Sequence, residues 1–350
     1  MIINGRFMTR PATGVDRFAL ELLRALSATG PALTTWVPQR ATVRPDLPEA
    51  LSTQPVGRLQ GQAWEQWDLP QLAGEAPLVN LCNTAPLWRR QQMVVIHDAA
   101  TLANPANFNW KFRTWYRVML SSLMQHAKVV ASVSKFSAGE LMRFFPGRKL
   151  GLEVIGEGGE HILRVPADTG IIDRLNLRDR RFVLAVGSRS PNKNFGAVLQ
   201  AMALLDDPNL LLVAAGGGNQ RVFAEAQVSD PRLLSTGFVS DAELRALYEH
   251  AACFVFPSYY EGFGLPPLEA MCCGCPVVVS NTTSIPEVCG DAALYCDPAD
   301  PAAMAAQIRR LLDSPALRAE MREAGLARAR HFGWDKAAAQ FRAIMAAQFA

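Results

Sequence analysis

Short apolar runs alternate along this chain with stretches in which apolar residues return every three or four positions. Ile2-Ile3, Pro77 to Leu81, Met93 to Ile96 and Val129 to Val133 are runs of the first kind, and they read as buried strands. Phe18, Leu22, Leu23 and Leu26 repeat at helical spacing, and helices are also predicted over 110–126 and 136–145. Beyond residue 180 the alternation is more regular. Strands are expected at Phe182 to Val186, Leu210 to Ala214, Phe254 to Phe256 and Pro276 to Val279. Helices are expected at 194–205, 219–227, 267–273, 301–313, 315–330 and 335–349. Ser240-Asp241-Ala242-Glu243 has the spacing of a capping box and opens a helix to about His250.

Strands that alternate with helices imply parallel sheets covered on both faces, an α/β fold. Two such series flank an irregular stretch near 158–180. The expected architecture is two doubly wound Rossmann-like domains, 1–165 and 178–334, facing across a cleft, with the last helix (335–350) packing back onto the first domain. Open sheets of this kind bind ligands beyond the carboxyl ends of their strands.

Composition narrows the class. Hydrophobic residues make up 49% of the 350, enough for a large core, which excludes a disordered chain. The net charge of +3 hides an asymmetry: residues 1–150 hold 17 Lys+Arg against 9 Asp+Glu, and the remainder 18 against 23. A basic first half suits an anionic partner, a phosphorylated substrate or an anionic membrane surface; Arg-rich usage explains it equally well. No run reaches the roughly 18 apolar residues of a spanning helix, and the opening residues lack the apolar core of a secretory signal. The expected location is the cytoplasm, in solution or at the inner face of the cell membrane. The seven Cys form no disulfide framework, and Cys272, Cys273 and Cys275 lack the further ligands of a zinc site, so no metal is expected. Neither a Walker loop nor an RNA-binding aromatic pair is present, and no nucleic-acid partner is expected.

Four segments carry candidate chemistry. Glu261-Gly262-Phe263-Gly264-Leu265-Pro266-Pro267-Leu268-Glu269 follows a strand and opens a helix. Its glycines allow a sharp turn that exposes N–H groups, and the helix start adds a positive dipole end, together an anion seat suited to phosphate. Carboxylates suit hydroxyls better than phosphate, so Glu269 is assigned to ribose and Glu261 to a sugar. The bland alternative is a Gly/Pro turn with solvated carboxylates. Gly187 to Asn194 joins strand to helix, placing Lys193 as a point charge for a diphosphate and Arg189 as a fork of donors. An ordinary cationic surface loop is the alternative. His97, in Ile96-His97-Asp98, ends a strand and can hydrogen-bond a sugar hydroxyl, although lone histidines are more often structural. Gly14, in Thr13-Gly14-Val15-Asp16-Arg17, permits close approach to a helix start, or is a plain helix-entry glycine. Gly216-Gly217-Gly218 ends a strand and either lets a nucleotide lie close to the backbone or, the favoured reading, is a tight turn; Asn281 to Ser284 either lines the cleft or, again favoured, caps the turn that follows. Trp110, Lys111, Arg113, Trp115, Tyr116 and Arg117, with Lys128, suit an interfacial helix, but a helix with its tryptophans packed inward is favoured.

These strings together resemble the family-4 retaining glycosyltransferases, whose fold is the two-domain GT-B arrangement. The resemblance runs over most of the chain: the Thr13 to Phe18 segment, Ile96-His97-Asp98, Ser132 to Ser137, Gly187 to Asn194, Gly237-Phe238-Val239, the E-x7-E string from Glu261 to Glu269, Gly290 to Ala293 and Phe332-Gly333-Trp334. It implies metal-independent transfer of a sugar from a nucleotide-diphosphate sugar with retained anomeric configuration, and no cofactor beyond that donor. It implies that Lys193 neutralises the departing diphosphate with help from Arg189. Where many members carry an Arg, five before or directly before the Lys, this chain has Ser188 and Asn192. The backbone of Gly262, Phe263 and Gly264, with Leu265, would hold phosphates and donor sugar; Glu261 would bind sugar hydroxyls and Glu269 the ribose. His97 would contact the sugar near its reacting carbon, and Gly14 would face the diphosphate. The opening Ile-Asn-Gly-Arg-Phe and the Ser-Pro-Asn-Lys-Asn string look closest to bacterial mannosyl- and rhamnosyltransferases of surface polysaccharide assembly. GDP-mannose is then the first donor to expect, with a glycan or polyprenyl-diphosphate-linked glycan as acceptor. A GT-B nucleotide-sugar epimerase and a non-catalytic nucleotide-sugar-binding protein are the competing functions.

Overall fold

The computed structural model describes residues 1–10, 13–30, 33–44, 47, 51–148, 151–187, 190–216 and 230–349. The chain forms two compact units, Met1–Glu157 with Trp334–Ala350, and Gly158–Gly333.

The first unit carries a seven-stranded parallel sheet. Its strands are β1 (Ile2–Asn4), β2 (Leu33–Pro38), β3 (Leu51–Val56), β4 (Leu78–Asn80), β5 (Gln92–Val95), β6 (Val129–Ser132) and β7 (Glu153–Val154), in the order β3-β2-β1-β4-β5-β6-β7. β4, β5 and β6 are buried throughout, because helices cover both faces of a parallel sheet. The helix Gly14–Ala28 puts Phe18, Leu22 and Leu23 into the core, as their spacing requires. The closing helix Trp334–Phe349 packs on it: Trp334 is buried against Phe18, and Arg342 donates to the Leu26 carbonyl 3.0 Å away and to Thr29.

The second unit repeats the plan with six parallel strands: β8 (Phe182–Val186), β9 (Leu211–Ala215), β10 (Leu233–Gly237), β11 (Cys253–Phe256), β12 (Val277–Ser280) and β13 (Leu294–Cys296). Their order, β10-β9-β8-β11-β12-β13, reverses direction between β8 and β11, which makes that gap the switch point where such sheets take ligands. Val183, Leu212, Val255 and Val278 fill one core with Met202 and Ile308 of the covering helices.

The unit boundary falls at Gly158, so residues 158–165, read from sequence as first-domain, fold with the second unit. The reason is local. A Cβ on Gly159 would stand 2.8 Å from Leu268 and 2.9 Å from Cys272, so only glycine lets this segment lie against the helix Leu265–Cys272. The stretch near 158–180, read as irregular, holds turns at Glu160–Leu163 and a short helix at Gly170–Arg174. The helix expected at 219–227 lies outside the described residues.

Candidate functional site

The switch point of the second sheet is where two loops meet. The strand β8 runs into the loop carrying Lys193, and β11 runs into the loop carrying Glu261. The loops are stitched by their neighbours: Asn192 donates its side-chain amide to the Tyr260 carbonyl (2.6 Å) and accepts at its own carbonyl from Tyr259 N–H (2.9 Å). Asn194, in the left-handed region at φ 54°, donates to the Pro298 carbonyl at 2.6 Å. Asparagine tolerates that conformation better than most residues. Lys193 is thereby fixed between two anchored asparagines. Its Nζ lies 2.6 Å from Glu261 Oε1 and 4.8 Å from the centre of the buried Phe256 ring.

Behind Lys193, Gly187 and Gly216 let two strand ends close up. A Cβ on Gly216 would stand 2.5 Å from the Gly187 carbonyl, and its φ of 129° favours glycine. The tight-turn reading of this triplet accounts for Gly216; Gly217 and Gly218 lie outside the described residues, as do Ser188 and Arg189, the expected second cation.

The turn after Glu261 is built differently from the sequence reading in two respects. Only Gly264 adopts positive φ, at 116°, and Gly262 does not. The helix that follows, Leu265–Cys272, has Pro266 and Pro267 in its first turn, which removes two N–H donors from its start. Among the described residues, the amides of Phe263, Gly264 and Leu265 have no acceptor, and they are the donors left for an anion. Ser284 was expected to cap the helix it precedes. Its hydroxyl instead lies 2.9 Å from the Glu261 carbonyl and 2.7 Å from that of Phe263, with no side-chain cap bond. Thr283, at φ 59°, accepts from Glu261 N–H at 3.3 Å. This bracing of the carbonyls of the glycine turn has no signal in the sequence.

Glu269 lies one turn into the helix and is 8% exposed. Its Oε1 is 2.9 Å from Nε2 of the buried His161, and Oε2 accepts from the Tyr248 hydroxyl at 3.3 Å. Burial and the neighbouring carboxylate push the Tyr248 hydroxyl well up from its ordinary pKa, which keeps it a donor.

Gly14 and His97 belong to the first unit and sit at the carboxyl ends of its strands. Gly14 opens its helix with nothing within 4 Å of where a Cβ would point. Asp16, fully buried, accepts from Thr13 N–H at 2.8 Å and from Arg10 at 2.8 Å, so its part is to hold the helix start. The His97 ring stands edge-on to Phe18, with Nε2 2.9 Å from the Leu81 carbonyl and Nδ1 3.7 Å from Glu157. A carbonyl only accepts, so Nε2 carries the proton there. In the same unit, and unread in the sequence, Glu65 gathers Asn4 (2.8 Å), Arg6 (3.1 Å) and Thr84 (2.9 Å).

The structure thus brings Lys193, Glu261, the Gly262 to Leu265 turn and Glu269 together in one unit. All seven cysteines are free, and among the described residues no group of three His, Cys, Asp or Glu is placed to hold a metal ion.

Comparison with known proteins agrees with this plan. The family description "Glycosyl transferases group 1" matches residues 171–328. The chain is 31% identical to O-antigen chain mannosyltransferase B of Escherichia coli, over 94% of its own length and 95% of that protein's. Its fold is that of sucrose-phosphate synthase from Thermosynechococcus elongatus (TM-score 0.78, 21% identity, 99% and 98% of the two chains). It is also that of Anabaena HepE solved in complex with UDP-glucose (TM-score 0.76, 16% identity, 99% and 98% covered).

Proposed function

The chain belongs to the group 1 glycosyl transferases, and from that premise we propose that it moves a mannosyl group from GDP-mannose onto a glycan or a polyprenyl-diphosphate-linked glycan in surface polysaccharide synthesis, with retained anomeric configuration. The mannosyl group and the polysaccharide context follow the named Escherichia coli relative. A nucleotide-sugar donor is supported by the UDP-glucose held by a protein of the same fold.

The observation that carries the reading is the ammonium of Lys193 on the same switch point as the glycine turn. In transfer, the bond between the anomeric carbon and the diphosphate oxygen breaks, and its electron pair stays on that oxygen. Lys193 and the amides of Phe263, Gly264 and Leu265 are assigned to stabilise the charge that develops there, with Arg189 as a further cation. The acceptor hydroxyl oxygen bonds to the anomeric carbon from the face the diphosphate leaves, and its proton passes to the departing phosphate oxygen. No side chain is needed as general base. Glu261 is assigned to donor-sugar hydroxyls and Glu269 to the ribose. The first unit is assigned the acceptor side, and of its residues His97 is assigned to the donor sugar near the reacting carbon and Gly14 to the diphosphate.

The test is a panel of nucleotide sugars with a lipid-linked glycan extract, read as nucleoside diphosphate released. Release with GDP-mannose that depends on acceptor, and is lost in Lys193→Ala, is the expected result. Release from another donor replaces GDP-mannose; no release from any donor removes the catalytic reading.

A further inference from the structure

Glu269 is the residue of the site whose surroundings are most fully built and least explained by its own position. A carboxyl group that is only 8% exposed needs protein partners where water would otherwise stand. Here two buried side chains serve, one per oxygen: His161 Nε2 at 2.9 Å from Oε1 and the Tyr248 hydroxyl at 3.3 Å from Oε2. His161 and Tyr248 are 4% and 0% exposed. Neither reaches a ligand directly through solvent. With Glu269 Oε1 as the acceptor, His161 Nε2 is the donor in this contact.

The carboxylate is thus clamped at both oxygens, and its plane is set by the two clamps. Each oxygen keeps a second lone pair, so the group still accepts from hydroxyls, but only along the directions the clamps leave. The clamp is also costly to build. It requires glycine at position 159, where any Cβ would meet Leu268 and Cys272, in order to carry the Glu160–Leu163 turn onto the helix Leu265–Cys272. It requires a buried tyrosine from the helix Asp241–His250, stacked edge-on against Phe254.

We propose that His161 and Tyr248 are positioning residues that aim Glu269 at the ribose hydroxyls, so that the preference for a ribonucleotide over a deoxyribonucleotide donor is set by this outer pair. The proposal rests on the assignment of Glu269 to the ribose. A carboxylate with a fixed plane rejects a donor that lacks the hydroxyl, because its desolvated lone pairs are then left without a proton; a swivelling carboxylate finds another partner and discriminates less.

The experiment compares the binding of GDP and 2′,3′-dideoxy-GDP by calorimetry in four full-length proteins: wild type, His161→Phe, His161→Gln and Tyr248→Phe. Thermal melting of each is recorded beside it. The expected wild-type preference for GDP is about tenfold or more, the worth of one or two hydrogen bonds to a charged group. It is expected to fall below about threefold in His161→Phe and to drop in Tyr248→Phe, which removes one hydroxyl that lies 3.3 Å from Glu269 and also 3.4 Å from the Pro266 carbonyl. His161→Gln keeps a donor at the same reach and is expected to recover most of the preference. A general loss of stability would weaken both nucleotides alike and leave their ratio unchanged. If the preference is intact in folded Tyr248→Phe and His161→Phe, the proposal falls while Glu269 keeps its assignment. If His161→Gln is as indiscriminate as His161→Phe, the hydrogen bond is not the cause and the proposal also falls. A wild type that binds both nucleotides equally removes the ribose assignment and the proposal together.

Discussion

Lys193 Nζ lies 2.6 Å from Glu261 Oε1, so the cation assigned to the leaving diphosphate is already paired with the carboxylate assigned to the donor sugar. Both side chains are partly exposed, at 23% and 13%, and the pair is opened to solvent enough to be exchanged. A diphosphate that takes up Lys193 must draw it from Glu261 or accept it shared. Either way the carboxylate opposes the anion, and removing its charge should strengthen diphosphate binding. Glu261→Gln is expected to bind GDP more tightly, by roughly three- to tenfold, while turnover falls because sugar hydroxyls lose their acceptor. Calorimetry with GDP and initial rates on the same preparation check this; weaker GDP binding in the variant would show that the pair does not compete with the diphosphate.

Gly264 tests the geometry of the turn. At φ 116° an L-residue is strained, and a Cβ there would stand 2.7 Å from Ile285 Cδ1. Gly264→Ala is expected to cost about 1–3 kcal/mol of stability, measured by denaturant unfolding, and to raise KM for the donor. Adding Ile285→Val makes room for the methyl but leaves the dihedral strain, so it should restore only part of the stability and little of the KM.

Ser284 tests the brace. Its hydroxyl is fully buried and faces the carbonyls of Glu261 and Phe263. Ser284→Ala leaves those carbonyls short of a donor and is expected to cost roughly 1–2 kcal/mol. If the brace also aims the amides of the turn, donor KM rises with it; a stability loss at unchanged KM would confine Ser284 to folding.

The contrast between these residues explains how much could be read before the fold was known. The helix Trp110–His126 has the bounds its periodicity predicts, and Ser240 with Glu243 forms the expected reciprocal cap. The Lys193 and Glu261 loops are legible because both follow buried strands; that those strands, separated in sequence by two others, lie side by side is given by the sheet order. What was missed lies where the pattern is weak or the partner is distant. Leu51–Val56, Ser52-Thr53-Gln54 at its centre, is an edge strand with little to bury on one face. Leu233–Gly237 is an edge strand of the other sheet, half-buried on either side of an exposed Ser235. Ser284 and His161 act on residues 21 and 108 positions away, a relationship that no local spacing encodes.

The cysteines give a prediction of opposite character, an absence of reactivity. Burial pushes the thiols of Cys253, Cys272, Cys289 and Cys296 up to about 12, and those of Cys82, Cys273 and Cys275 up as well. The thiolate is the reactive form, so the native protein should react slowly with a thiol reagent at pH 8 and release all seven thiols in denaturant. A single fast thiol in the native protein, at Cys272 above all, would contradict the packing described for the helix Leu265–Cys272.

In the helix Trp110–His126 one tryptophan packs inward and one does not: Trp115 lies against the core of the first unit, as favoured, and Trp110 faces out. Trp110 is 69% exposed, and Phe112 and Val118 are also exposed. Lys111, Arg113 and Arg117 share this exposed surface, with Lys111 Nζ 5.7 Å from the centre of the Trp110 ring. Aromatic and aliphatic side chains beside cations, with no acidic residue anywhere in 110–126, suit the headgroup region of an anionic bilayer. Each basic residue near such a surface contributes about 1 kcal/mol, and salt screens it. The expected result is sedimentation with phosphatidylglycerol vesicles but not with phosphatidylcholine vesicles, reduced in high salt. The triple variant Trp110→Ala, Arg113→Glu, Arg117→Glu should lose at least about tenfold in partition while its rate on a water-soluble acceptor is unchanged. Equal partition of wild type and variant would return this helix to an ordinary solvated surface and leave the basic first half to be explained by its substrate alone.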